Sequence, residues 1–228
     1  MGTLYIVASP IGNLKDITAR ALEILGSVNY ILCEDTRITG RLLNHYGLNT
    51  KMVSIGDFNE QTKIPSIIRD LLSGNNIALA SDAGTPLISD PGFKLIREAI
   101  KSNVRVEAIP GPTAAISALT VSGLPPDKFL FLGYLPKKPG KRKNYLQSLF
   151  SILKGMGEKD LKSTVIIYES PYRLLGTLKD LSEVFGDVDI VICRELTKLH
   201  EEVRRETVSE SIKHFSQVTP KGEFTILF

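Results

Sequence analysis

The sequence predicts an α/β protein of two domains, the first built on a mainly parallel sheet. Three observations predict it. Apolar runs of strand length alternate with stretches of helical periodicity through the first half. The alternation breaks at Pro110-Gly111-Pro112-Thr113 and then restarts, which sets domains at 1–110 and 111–228. In the first half the polar, Gly- and Pro-containing stretches each follow a predicted strand, as loops on the ligand-binding edge of an open parallel sheet do. A chain of 228 residues that is 43% hydrophobic is long and apolar enough for one large or two small cores.

Residues 4–8 read as the first strand, followed by a loop with two breakers, Ser9-Pro10-Ile11-Gly12-Asn13-Leu14. Asp16 is placed to cap a helix with Ile17, Ala21, Ile24 and Leu25 at helical spacing. Residues 28–33 form a strand that ends in Glu34-Asp35-Thr36-Arg37, and the helix after it stops at Gly47. A short strand over 51–55 leads into Gly56-Asp57-Phe58-Asn59-Glu60, and a helix over 64–72 precedes a buried strand over 76–80. There follows Ser81-Asp82-Ala83-Gly84-Thr85-Pro86, which combines a carboxylate, small residues and hydroxyls where backbone must approach a ligand closely. Asp90 and Pro91 read as the N-cap and first position of a helix burying Phe93, Ile96, Ala99 and Ile100, and a fifth strand covers 104–109.

The second half opens on a helix of small residues over 114–119, then a strand over 129–132 and a basic turn over 137–143. A helix with Leu146, Leu149, Phe150 and Leu153 on one face leads to a strand over 164–168. Glu169-Ser170-Pro171 reads as another cap-plus-proline start, for a helix burying Leu174, Leu178, Leu181 and Phe185. A strand over 188–193, a capping box of Thr207 and Glu210, and a last strand over 224–228 complete the chain.

Composition narrows the function classes. No apolar run approaches the roughly 20 residues that span a bilayer, and the first residues read as a strand, so no membrane partner is expected. Two cysteines in apolar runs suit a reducing, cytoplasmic setting, and His45, His200 and His214 lack metal-ligand spacing, so no metal is expected. The net charge of +3 admits nucleic acid without requiring it. Neither a G-x-G-x-x-G fingerprint nor a Walker loop is present.

Two clusters carry two readings each. Glu34-Asp35-Thr36-Arg37 is either a helix N-cap with a local ion pair or an acid/base and RNA-positioning group. Lys137, Lys138, Lys141, Arg142 and Lys143 are either a solvated loop or the electrostatic footprint of phosphates.

Six motifs in order carry a resemblance. They are Pro10-Ile11-Gly12-Asn13-Leu14, Glu34-Asp35-Thr36-Arg37, Ser81-Asp82-Ala83-Gly84-Thr85-Pro86, Pro110-Gly111-Pro112-Thr113-Ala114, Tyr168-Glu169-Ser170-Pro171-Tyr172-Arg173-Leu174 and Arg194-Glu195-Leu196-Thr197-Lys198. Together they resemble the bacterial small-subunit ribosomal RNA methyltransferases of the tetrapyrrole methylase superfamily. The resemblance implies two α/β domains with S-adenosylmethionine in the cleft between them. It also implies a homodimer and methyl transfer to the ribose 2′-oxygen of a cytidine in the decoding region of 16S rRNA, free or in the small subunit. By motif it implies Pro10, Asp82, Gly84, Thr85, Leu87, Thr113, Ala114 and Tyr168 as cofactor-lining. The base is then sought among Glu34, Asp35, Glu60 and Glu169, with Arg37 and Arg173 positioning RNA phosphate or carboxylates. The five cations over 137–143 are expected to contact RNA. The chain departs from the pattern at Phe58, where a histidine is usual, at Glu206, where glycine is frequent, and in ending at Phe228. A methyltransferase acting on a tetrapyrrole-like small molecule is the alternative, and a non-catalytic cofactor-binding module a further one.

Overall fold

The computed structural model describes residues 1–56, 58–157 and 161–228, in two compact units, Met1–Thr113 and Ala114–Phe228. The first unit holds β1 (Thr3–Val7), α1 (Ala19–Ser27), β2 (Tyr30–Cys33), α2 (Thr36–His45), β3 (Met52–Ser54), α3 (Glu60–Leu72), β4 (Ile77–Ala80), α4 (Phe93–Lys101) and β5 (Arg105–Ile109). Its sheet runs β3-β2-β4-β1-β5 with every pair parallel. Alternation along the strands divides the core between two faces. Leu4, Ile6, Ile77 and Leu79 pack with Ile67, Leu71 and Leu95 of α3 and α4. Val7, Ala78 and Ala80 pack with Ala21, Leu25, Leu42 and Leu43 of α1 and α2. All five strands therefore end on one edge.

The second unit holds α5 (Ala114–Ser122), β6 (Phe129–Tyr134), α6 (Pro139–Gly157), β7 (Thr164–Glu169), α7 (Leu174–Phe185), β8 (Asp189–Arg194), β9 (Glu202–Thr207), α8 (Val208–Gln217) and β10 (Phe224–Leu227). Its sheet, β6-β7-β10-β8-β9, is mixed: β6 and β7 are parallel and the other pairs antiparallel. Leu146, Leu149, Leu178, Leu181 and Phe215 of α6, α7 and α8 cover one face of it. The strand ends of β6, β7 and β8 share one edge.

Several helix starts differ from expectation. Asp16 lies in a short 3-10 turn, and Thr18 caps α1 by accepting from the Ala21 N–H at 3.1 Å. α3 begins at Glu60 and carries Pro65 inside it. Neither Asp90 nor Pro91 starts α4. Gly92 is its N-cap at φ +121°, where a Cβ would sit 2.7 Å from Leu79 Cδ2. Along α4 Leu95 and Ala99 are buried, whereas Phe93 and Ile100, expected in the core, are exposed. At α7 the residues after Glu169 form a turn, and the helix starts past Arg173. The capping box of Thr207 and Glu210 forms as expected.

β9 has no counterpart in the sequence reading, because Glu202-Val203-Arg204-Arg205-Glu206-Thr207 lacks an apolar run. Charge replaces it. Glu202, Arg204 and Glu206 share one strand face, and Arg204 pairs with Glu202 at 3.1 Å and Glu206 at 2.6 Å. Arg205, on the other face, donates to the carbonyls of Ser122 at 3.0 Å and of Val121, closing the end of α5. A charged edge strand also resists pairing with other chains. Glu206, the departure from the family pattern, is held here by Arg204 and by the Ser211 hydroxyl at 2.6 Å.

Candidate functional site

Four of the five strand-end loops of the first unit are tied together by hydrogen bonds. Ser9 and Gly84 exchange backbone bonds, Ser9 N–H to Gly84 O at 2.9 Å and Gly84 N–H to Ser9 O at 3.1 Å. The Ser9 hydroxyl donates to the Ser81 carbonyl at 2.8 Å. The Asp35 N–H donates to Asp82 Oδ1 at 3.1 Å, and the Thr85 hydroxyl to the Pro112 carbonyl at 3.1 Å. The loops after β1, β2, β4 and β5 thus form one surface.

The loop after β4 is conformationally unusual. Gly84, Leu87, Ser89 and Gly92 all have positive φ, at +83°, +75°, +70° and +121°. Two of them carry side chains, a strained arrangement that clusters at ligand sites. At Gly84 a Cβ would lie 3.3 Å from Ile11 Cγ2 and 3.6 Å from the Pro112 carbonyl oxygen, so the glycine keeps the loops in close approach. Pro10 is buried behind this surface, Thr85 and Thr113 are half-buried, and the Leu87 side chain packs against the core.

The carboxylates on this edge differ sharply. Asp35 caps α2 through the Arg37 N–H at 2.8 Å and pairs with the Arg37 guanidinium at 2.5 Å. Those hydrogen bonds to Arg37 lower its pKa to about 2. A carboxyl depressed in the fold stabilises it above the unfolded value near 4, and that contribution disappears as pH falls through 2. Carboxyl NMR should therefore show Asp35 titrating near pH 2, and titration near 4 would mean that the cap and ion pair do not persist in solution. Asp82 and Asp90 shift the other way. Burial raises both, the Ser81 hydroxyl bonds to Asp90, and the neighbouring Asp82 charge raises Asp90 further. Ser9, Ser81 and Asp90 are members of this surface that were not among the expected site residues. Asp90 was masked by its resemblance to a helix cap, and only the Gly92 start of α4 separates the two roles.

Two nominated bases are committed to structure. Glu60 is buried, and its Oε1 accepts the Leu95 N–H at 3.0 Å, capping α4 where Gly92 has no side chain to do so. Glu169 is buried too. It accepts from the Ser170 N–H at 2.7 Å and the Thr177 hydroxyl at 2.6 Å, and lies 3.2 Å from Arg173 Nε. Arg173 in turn donates to the Leu135 carbonyl at 2.7 Å, so it joins the loops after β6 and β7, with its side chain 19% exposed beside the Glu169 carboxylate. Glu34, at the end of β2, is exposed, as is Arg37. Asp57 lies outside the described residues.

In the second unit, Tyr168 Oη accepts the Ala115 N–H at 3.1 Å, next to Ala114 at the start of α5. The five-cation cluster divides. It lies on the approach to and first turn of α6, which starts at Pro139, and does not form a turn. Lys137, Lys138 and Lys141 are exposed. Arg142 is 4% exposed and pairs with Asp180 at 2.6 Å, and Lys143 pairs with Glu183. Arg142 is therefore a packing residue and not an RNA contact, while Lys143 sits in a solvent-exposed ion pair. Among the described residues no group of His, Cys, Asp and Glu is arranged to hold a metal ion, and no helix is long and apolar enough to cross a membrane.

The chain thus joins a parallel sheet, with a strained, glycine-bearing loop after β4, to a mixed sheet in a second α/β unit. The chain belongs to the Tetrapyrrole (Corrin/Porphyrin) Methylases, whose family model matches residues 3–211. It is 48% identical over 229 residues to a protein of Mycoplasmopsis pulmonis, covering 100% of this chain and 98% of that one. It is 44% identical over 227 residues to one of Thermotoga maritima, with coverage of 100% and 98%, and 46% identical over 226 residues to one of Halalkalibacterium halodurans, with coverage of 99% and 75%. Each of the three is named ribosomal RNA small subunit methyltransferase I. Solved structures share the fold at low identity. A diphthine synthase superposes with a TM-score of 0.74 at 13% identity, covering 100% of this chain and 90% of that one. The uroporphyrin-III-C-methyltransferase of Thermus thermophilus gives 0.67 at 18%, with coverage of 100% and 94%.

Proposed function

We propose that this chain is an S-adenosylmethionine-dependent methyltransferase that modifies the ribose 2′-oxygen of a cytidine in the decoding region of 16S rRNA. The observation that carries the reading is near-full-length similarity, at 44–48% identity, to proteins named for small-subunit ribosomal RNA methylation. The exposed lysines 137, 138 and 141 support a phosphate-bearing substrate over a small tetrapyrrole. Homodimerisation and a cytoplasmic location belong to the same proposal.

The first unit's edge fits the cofactor's chemistry. S-adenosylmethionine supplies an activated methyl group on a sulfonium and presents positive charge, ribose hydroxyls and an adenine. Asp82 and Asp90 are partly desolvated carboxylates suited to cationic and hydroxyl groups, and Asp82 has one oxygen engaged by the Asp35 N–H. Gly84 keeps the wall free of a side chain, and Thr85 and Thr113 bring hydroxyls to it. Glu34 is the nominated carboxylate that combines exposure with this edge, so the proposal assigns it the proton of the attacking ribose hydroxyl. Arg37 holds Asp35 ionised beside it.

The test is transfer of labelled methyl to 16S rRNA, offered free and in assembled small subunits, against a corrinoid precursor. Label in a decoding-region cytidine that resists alkaline cleavage on its 3′ side is the expected result. Label on a base, or only on the corrinoid, overturns the proposal.

A further inference from the structure

One feature of the second unit is unexplained by packing. Tyr172 is 99% exposed, although an aromatic ring of this size is ordinarily at least partly covered. Its position is nonetheless well defined. It lies between Glu169 and Arg173, whose buried ion pair anchors the turn, and Arg173 donates to the carbonyls of Leu135 at 2.7 Å and Pro136 at 3.4 Å. That bond holds the Tyr172 turn against the segment running from Tyr134 to Lys138. Tyr134 is 52% exposed, is the register partner of Tyr168 across the parallel β6–β7 pair, and packs its ring 5.9 Å from the Tyr168 ring. Lys137, Lys138 and Lys141 follow at once, all exposed.

We propose that Tyr134 and Tyr172 form a stacking platform for unpaired RNA bases, with Lys137, Lys138 and Lys141 holding the adjoining phosphates. The inference rests on the RNA-substrate reading above and adds to it the form of RNA recognised. Exposed rings on an anchored backbone offer planar contact at low cost in conformational freedom, and every base has a face to set against them. Duplex RNA hides those faces within its stack, so the surface selects single-stranded segments. The lysines complement the backbone charge that accompanies such bases. Arg173 is a positioning residue for the platform: its guanidinium is spent on the carbonyls and on Glu169.

The experiment is a titration of full-length protein with a single-stranded RNA of roughly a dozen nucleotides containing 2-aminopurine, and with the same sequence in a duplex. Wild type should quench the single strand by stacking and bind the duplex more weakly. Tyr172→Ala should weaken single-strand binding about tenfold and lose most of the quenching, while Tyr172→Phe retains both. Replacing the three lysines by glutamine should lower the slope of log K against log salt by up to about 2, with the quenching amplitude at saturation preserved. Unchanged binding and quenching in Tyr172→Ala, or a preference for the duplex, overturns the platform while leaving the RNA-substrate reading intact. Failure of wild type to bind either RNA also overturns the platform, whereas the RNA-substrate reading falls only if methyl transfer to 16S rRNA, free and in assembled subunits, fails as well.

Discussion

Glu34→Gln is expected to lower methyl-transfer turnover by roughly 10²- to 10⁴-fold at saturating S-adenosylmethionine, the usual worth of a positioned general base. Cofactor affinity should stay within about twofold of wild type, because the substitution keeps size and removes only the ability to take a proton. The other nominated carboxylates explain why the effect concentrates here. Asp35, with a pKa of about 2, is a weak base at neutral pH. Glu60 and Glu169 are buried and hydrogen-bonded within the fold, so their replacement should appear as lost stability. Turnover of Glu34→Gln within about threefold of wild type would remove the residue from the mechanism and direct attention to Asp82, whose burial raises its pKa.

Arg142→Ala is expected to destabilise the second unit by about 3–5 kcal/mol, the cost of leaving a buried carboxylate without its partner. The geometry makes this pair a structural one. The guanidinium meets Asp180 at 2.6 Å with side chains only 5% and 14% exposed. Gly176, one turn before Asp180 on α7, leaves room for it: a Cβ there would lie 3.1 Å from the Arg142 terminal nitrogen. Thermal unfolding should show a midpoint lower by roughly 10 °C, against a change of about 0.5 kcal/mol or less for the exposed neighbour Lys141→Ala. Pairing Arg142→Met with Asp180→Leu should recover most of the loss, because the penalty lies in the orphaned charge. If Arg142→Ala instead kept its midpoint and lost RNA affinity, the residue would return to the interface first expected of it.

The two residues show where a linear reading succeeds and where it stops. Apolar runs identified nine of the ten strands among the described residues, because a short continuous apolar stretch has one physical cause, burial within a sheet. The strand that escaped, β9, is held by paired charges at every second residue and by Arg205 on α5, and neither leaves an apolar trace. The convergence of strand-end loops in the first unit was legible, since parallel strands must end on one edge. The division of labour among its carboxylates was not. Glu34, Asp35, Glu60 and Glu169 look alike as letters, and they differ in what lies beside them: Arg37 for Asp35, the Leu95 N–H for Glu60, Thr177 and Arg173 for Glu169.

The stretch over 137–143 illustrates the same limit. Its charge is a property of composition and was visible at once, but helix α6 projects its residues in different directions. Burial beside α7 then turns Arg142 into a core ion pair and leaves Lys137, Lys138 and Lys141 exposed. The α/β class and the strand-end loops were legible in the amino-acid order, because local propensity and hydrophobic period act over a few residues. Tertiary structure alone decided the mixed second sheet, the helix starts at Gly92 and Arg173, and which charged groups remain for chemistry. Those outcomes depend on partners distant in the chain, and a buried charge or an uncapped helix end takes whichever partner the fold brings to it.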